Sequence, residues 1–452
     1  MASRLKKTLL YTYGTADLGF VLIANMESYF FPAFLTDYAG FSIVVVGQIL
    51  WLTSLVDILC ALAAGIILHK ITLRFGGKYR SWFLVAPPLI AVLFVLQFTK
   101  IGDTLVAASI IIFGFVASHL LWNVVFTASA SMVGRLSQHS DERTILSTSR
   151  AQGMSAAGLI MSITALPMIL YFGKHTDEVT AFTIVAGIFA VFMVLGYWYI
   201  YWMTAGRDPY DEKTSGLEQA GTRETVREIV GLVFRNPPLM FLIVAEMFRN
   251  TQILVIAAFA YYYFAYVLDN LAYLSVFILA ISLARLFGTF AATWFGLRFG
   301  KVTTYWLFLL LAAAVFVSAS FLGHSELAFT LLFSLGSLLG MVAGAMSTAL
   351  FSDTVIYGEW KTGSNIRAFT MALQSLPIKV AILIRSAAIT VGLLMIGFVA
   401  NTEPGQGVID GIRHFMIFTP AIACALGAMV FYYGYRIQES QVPRMLDEIA
   451  AR

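Results

Sequence analysis

The sequence predicts an all-α membrane protein of twelve transmembrane helices, arranged as two six-helix halves. Three observations predict it. The 452 residues are 59% hydrophobic and only 12% charged, with a mean hydropathy of +0.82, whereas a water-soluble chain carries roughly twice that charged fraction. Twelve apolar stretches are each long enough for the ~20 residues that a helix needs to cross a bilayer. One long polar segment, residues 205–236, divides them six and six.

The stretches cover residues 9–37, 41–69, 81–99, 104–134, 147–172, 178–204, 237–268, 271–297, 302–322, 326–351, 370–399 and 411–436. The basic start MASRLKK runs straight into the first of them without an A-x-A cleavage site, so it reads as the beginning of span one. An even number of spans puts both termini on one side, and basic residues choose that side. With cytoplasmic termini, the inner segments carry 21 Lys and Arg and the outer loops carry three, Lys100, Lys174 and Arg413. The expected organisation is an N-terminal half (1–204), a cytoplasmic linker (205–236), a C-terminal half (237–436) and a cytoplasmic tail (437–452), with lipid around the spans. Within the linker, Val226, Ile229, Val230 and Val233 share one helical face. That pattern suits a helix lying along the membrane surface, and a tether between halves is its simplest role.

A short internal echo supports duplication. After span two the chain reads Arg74-Phe75-Gly76-Gly77-Lys78; after span eight it reads Arg298-Phe299-Gly300-Lys301. These are equivalent positions if the halves repeat, as many transporter folds do. In span ten, Gly336, Gly340 and Gly344 form a small-residue stripe that lets helices approach closely in lipid.

Several function classes are excluded. The net charge of +4 is spread over many short loops, which argues against a nucleic-acid partner. Cys60 and Cys424 both lie in apolar stretches, so no disulfide framework is expected. No G-x-x-x-x-G-K-[ST] phosphate loop and no metal-ligand spacing occur. No cofactor is expected, and no cluster of acid, base and nucleophile marks an enzyme. His119, alone in span four, reads as a polar residue bonded within the bundle rather than a metal ligand.

Asp17, Glu27, Asp57, Glu246, Arg249, Arg285, Lys379 and Arg385 fall inside apolar stretches. Charges in lipid are costly and are kept for work, so these residues point to a polar species passing through. Glu246 and Arg249 are three apart and can neutralise each other on one helix. Asp17 is expected to bond nearby backbone. Arg285 and Arg385 show no partner in sequence; each suits either a structural role or a bidentate grip on an anionic group. Glu27, between Asn25 and Ser28, is a candidate proton carrier or substrate ligand, against a plain structural hydrogen bond.

The stretch Ser352-Asp353-Thr354-Val355-Ile356-Tyr357-Gly358-Glu359-Trp360-Lys361-Thr362-Gly363, then Leu373-Gln374-Ser375 and Lys379, resembles the glycoside–pentoside–hexuronide:cation symporters, the melibiose-permease-like branch of the major facilitator superfamily. Tyr13-Gly14-Thr15-Ala16-Asp17, Leu35-Thr36-Asp37, Gly77-Lys78-Tyr79-Arg80-Ser81-Trp82 and Asp141-Glu142-Arg143 followed by Arg150 agree in order and spacing. The resemblance covers nearly the whole chain. It implies a major facilitator fold, a sugar site in a central cavity, a cation site beside it, and a bacterial inner membrane. By position, Asp57 matches the first acid of the cation site and Lys379 a lysine beside those acids. Arg150 matches an arginine near the sugar, and Gln374 and Ser375 match polar cavity positions. The chain departs from the sodium-coupled pattern where Ala61, Asn123 and Val21 stand in place of three aspartates.

Asp57 alone makes a poor cage for sodium, because hard cations seek several oxygens and formal negative charge. A proton is the expected coupling ion in place of sodium, with Asp57, Lys379 and Glu27 in coupling. Burial and a nearby lysine push a carboxyl's proton affinity in opposite directions, which suits a switchable Asp57–Lys379 pair; a static ion pair is the bland reading. Trp122, Asn123, Arg150, Gln374, Ser375 and Asn25 are the expected substrate contacts. The resulting expectation is a monomeric secondary transporter that imports a glycoside, oligosaccharide or sugar acid. A carrier of a non-sugar amphiphile and a non-transporting sensor are the alternatives.

Overall fold

The computed structural model describes residues 4–71, 73, 76–137, 139–208, 235–323, 325–363 and 373–450. Twelve helices among them are long and apolar enough to cross a membrane, and they coincide with the twelve expected stretches. Spans one to six are Lys7–Tyr38, Ile43–Leu68, Arg80–Gln97, Thr104–Leu136, Asp141–Gly173 and Glu178–Met203. Spans seven to twelve are Pro237–Val267, Leu271–Phe299, Lys301–Leu322, Glu326–Thr362, Leu373–Met395 and Gln406–Gly434. The proposed linker helix at 222–234 and the Arg74-Phe75 dipeptide lie outside the described residues.

Span twelve starts at Gln406, five residues before the expected 411, span eleven ends at Met395 rather than 399, and two further differences have a clear physical reason. Span five starts at Asp141, not 147, because Asp141 and Glu142 sit in its first turn, where acids complement the helix dipole. Span ten runs to Thr362, beyond 351. Its last turns carry Glu359 and Lys361, so hydropathy ends before the helix does. It breaks at Met346 into Glu326–Ala345 and Ser347–Thr362. Gly363, at φ 71°, then closes it in the left-handed region that glycine enters without steric cost. The tail contains a helix, Gln441–Ala450, pinned where Trp360 Nε1 donates to Glu448 Oε2 at 2.7 Å.

The chain forms two compact units: Met1–Glu212 with Asn270–Leu279 and Ile389–Pro404, and Lys213–Asp269 with Ala280–Ala388 and Gly405–Arg452. In the first, span one packs against spans five and six, span three against four and six, and span two against four. In the second, span seven packs against twelve, and span nine against ten and twelve. The pairings one–six, three–four and three–six thus recur as seven–twelve, nine–ten and nine–twelve.

Local detail recurs too. Spans one and seven both end in a π-turn, Phe34–Tyr38 and Tyr263–Val267. Asp208, just after span six, accepts from the backbone N–H groups of Tyr79 and Arg80 at 2.7 and 2.9 Å. Glu439, just after span twelve, accepts from Val302 N–H at 3.0 Å. Each acid satisfies orphan donors at the start of the third helix of its set. Glycine permits the closest contact in the first unit. A Cβ on Gly153 would lie 2.0 Å from the Gly14 carbonyl oxygen, and one on Gly14 would lie 1.9 Å from that of Ser149. Spans one and five therefore touch backbone to backbone.

Candidate functional site

Span four carries Phe115, His119, Trp122, Asn123 and Phe126, a spacing that puts them along one face of the helix. Asn123 Nδ2 donates to Asp57 Oδ1 of span two at 3.0 Å and to the His119 carbonyl at 2.8 Å. Both partners are acceptors, so the amide nitrogen must face them. An aspartate here would set a second carboxyl against Asp57; the amide supplies a donor instead. Asp57 is buried, 3% exposed.

Glu27, at mid-helix in span one, meets this face from the other side. Its Oε2 lies 3.3 Å from His119 Nε2. The contact is within ion-pair range but off hydrogen-bond geometry, and Oε2 is buried without a hydrogen bond among the described groups. The His119 ring stacks on Phe115 with centroids 3.8 Å apart and on Trp122 at 5.1 Å. Asn25 is half-buried on span one, two residues before Glu27.

An aromatic column continues from Trp122 to Phe20 at 4.6 Å and on to Phe126 at 4.9 Å. Arg150 of span five lies over the Phe126 ring, 5.4 Å from its centroid. Arg150 Nε and Nη2 both donate to Asp17, at 2.9 and 2.8 Å. This corrects the expectation for Asp17, which holds a buried guanidinium in a fork-to-fork pair rather than bonding nearby backbone. Nη1 is the guanidinium nitrogen that Asp17 does not use.

In the second unit, Gln374 and Ser375 form a short turn before the main helix of span eleven. Gln374 Nε2 donates to Thr348 Oγ1 at 2.8 Å, Ser375 is exposed and Lys379 half-buried. Arg249 and Glu246 pair as expected, at 2.9 and 2.8 Å. Tyr305 adds a donor that the sequence did not suggest, its hydroxyl reaching Glu246 Oε1 at 2.8 Å. Arg385 is buried in span eleven. Among the described residues, no group of three or more His, Cys, Asp or Glu side chains could hold a metal ion.

The first unit thus brings together Asp57, Asn123, Trp122 and Glu27. Sequence reasoning missed His119 as their connector. Its signal was the i, i+4, i+7, i+11 stripe of Phe115, His119, Trp122 and Phe126.

Twelve apolar spans mark an integral membrane protein, and the family match makes it a transporter of the major facilitator class and not an enzyme. Residues 12–439 match the MFS/sugar transport protein family, and the chain belongs to that family. It is 24% identical over 449 residues to the isoprimeverose transporter of Lactiplantibacillus pentosus, covering 97% of this chain and 90% of that one. It is 23% identical over 471 residues to a glucuronide carrier protein homolog of Escherichia coli (strain K12), covering 100% and 97%. The crystal structure of a D-xylose-proton symporter shares the fold, with a TM-score of 0.66 at 14% identity over 96% of this chain and 98% of that one.

Proposed function

We propose that this protein imports a glycoside, oligosaccharide or sugar acid together with a proton, by alternating access. The observation that carries the reading is the part-buried contact of Asn123 with the buried Asp57, joined through His119 to Glu27, in a chain of a sugar-transport family. A carboxylate kept this deep in a membrane is costly unless it works. The relatives named for isoprimeverose and glucuronide support a sugar or sugar acid as cargo. The replacement of an acidic position by Asn123 supports a proton over sodium, because it removes a negative oxygen that a hard cation would use.

In this reading Asp57, Lys379 and Glu27 carry coupling. Trp122, Asn123, Asn25, Gln374, Ser375 and Nη1 of Arg150 contact the sugar, with the Trp122 ring offering a face for sugar C–H groups. The protein acts as a monomer in a bacterial cell membrane, built as two six-span halves with both termini cytoplasmic. The orientation follows from the basic residues of the inner segments.

A thermal-shift screen of sugars, glycosides, sugar acids and amphiphiles tests this, across pH and with and without sodium. A ligand at a hundred times its dissociation constant stabilises by about 2.7 kcal/mol. The reading expects a sugar hit that strengthens in acid and ignores sodium. Hits confined to amphiphiles would end the sugar assignment.

A further inference from the structure

His119 Nδ1 lies 3.0 Å from the Phe115 carbonyl oxygen. A carbonyl only accepts, and the Ser118 hydroxyl, 3.5 Å from Nδ1, already donates to the same carbonyl at 2.9 Å, so the hydrogen of this contact is assigned to Nδ1. In a neutral ring the other nitrogen then holds a bare lone pair. That nitrogen, Nε2, is the one 3.3 Å from Glu27 Oε2. An ionised Glu27 facing a neutral His119 would set two acceptors against each other in a buried site, where unpaired polar groups are costly. One added proton turns the repulsion into attraction. The ring's surroundings say where it resides. Phe115 lies nearly parallel on His119, at 4°, and Trp122 at 18°. Aromatic faces attract a cation, so the stack gives an imidazolium a partner on its ring face as Glu27 does at its edge.

We propose that His119 and Glu27 form the proton-binding site of this transporter, an imidazolium–carboxylate pair that takes up one proton on Nε2 and gives it back during the cycle. Loading moves a proton from water to the Nε2 lone pair, and the pair's net charge goes from minus one to zero. Unloading is the reverse. The proposal rests on the proton-symport reading and deepens it by adding His119 to the coupling residues. Asn123 connects the pair to Asp57, since its amide donates both to Asp57 and to the His119 backbone.

Several other titratable groups on the packed elements have contacts of their own. Span two contributes Asp57, held by Asn123, and Cys60, whose thiol points to the Val116 carbonyl at 3.9 Å. Span five contributes Arg150, already forked onto Asp17 of span one. Span six contributes the buried Tyr197. Span three carries Arg80 at the opposite end from Gln97, and Gln97 Nε2 donates to Ser118 Oγ at 2.7 Å. Span one also holds Tyr29, buried two residues beyond Glu27. No second histidine lies on these faces among the described residues, so the shared proton has one ring to occupy.

The test uses the full-length protein and two readouts. Ring-labelled nitrogen NMR reports the protonation of His119, identified among the six histidines by its loss in His119→Gln. At neutral pH the wild-type ring should be protonated on both nitrogens. In Glu27→Gln it should be the neutral Nδ1–H tautomer. The second readout is transport of isoprimeverose and methyl glucuronide in sodium-free vesicles. A gradient of one pH unit should drive about tenfold accumulation in wild type for one proton per sugar. Glu27→Gln and His119→Gln, shown to fold by wild-type helical circular dichroism and a single symmetric elution peak, should lose the uphill accumulation. A neutral His119 in wild type overturns the proposal. So does a His119→Gln variant that accumulates sugar like wild type, as it would if the pair were only structural. A wild type that moves neither sugar overturns the sugar reading instead, and the NMR result alone then supports or overturns the proton site.

Discussion

Asp17→Asn should destabilise this protein more than most single substitutions. The change keeps the side-chain volume and removes one charge from the fork between Asp17 and Arg150. Asp17 is fully buried, and the Arg150 side chain is only 13% exposed. With the charges about 4 Å apart and an effective dielectric near 20, their attraction is about 4 kcal/mol. Removing one partner of a buried pair costs about 3–5 kcal/mol, because the other charge is left without compensation. Replacing both, as in Asp17→Asn with Arg150→Gln, leaves no orphan charge and should cost less than the sum of the single changes. A coupling of up to about 3 kcal/mol is expected for such neighbours. Unfolding by sodium dodecyl sulfate in bicelles, followed by tryptophan fluorescence, measures all four corners of the cycle. If Asp17→Asn costs under about 1 kcal/mol, the value of an exposed pair, or if the two changes add, the fork does not hold span one to span five.

Other expectations follow from the same geometry. Gly153→Ala puts a methyl 2.0 Å from the Gly14 carbonyl oxygen and should cost at least the roughly 1–3 kcal/mol of overpacking; Gly134→Ala, with nothing within 4 Å, should cost nothing in the same assay. Tyr305→Phe removes the donor to the Glu246 carboxylate and should lose about 1.5–3 kcal/mol, less when made on top of Glu246→Gln. Hydrogen bonds from the Thr180 hydroxyl and backbone N–H hold the Asp177 carboxyl below the usual carboxylate range. A lowered pKa contributes stability above the unfolded value and loses it as pH falls through the folded one. Asp177→Ala should therefore speed amide exchange in the first turn of span six at neutral pH, and match wild type in strong acid.

The spans were legible because bilayer-length apolar runs are a strong signal, and only charged ends such as Glu359 and Lys361 blurred them. The Glu246–Arg249 pair was legible because its partners are one turn apart on one helix. Asp17 with Arg150, and Glu27 with His119, were not. Each joins residues on different helices, 133 and 92 positions apart, and no periodicity within one helix reports a neighbour on another. The Asp208 and Glu439 caps escaped for the same reason. Asn123 stands where the sodium-coupled pattern has an aspartate, and the bridge its amide makes to Asp57 and to the His119 carbonyl is visible only once spans two and four are packed. The resemblance indicated which positions to watch, and the packing supplied their partners.

The most direct test of the central claim is proton movement during sugar entry. Vesicles containing the purified protein, in sodium-free buffer with a pH dye outside, receive isoprimeverose or methyl glucuronide. The account predicts external alkalinisation that begins with the sugar and disappears in Glu27→Gln. Sugar entry that needs sodium, or that proceeds with no change in pH, would contradict it.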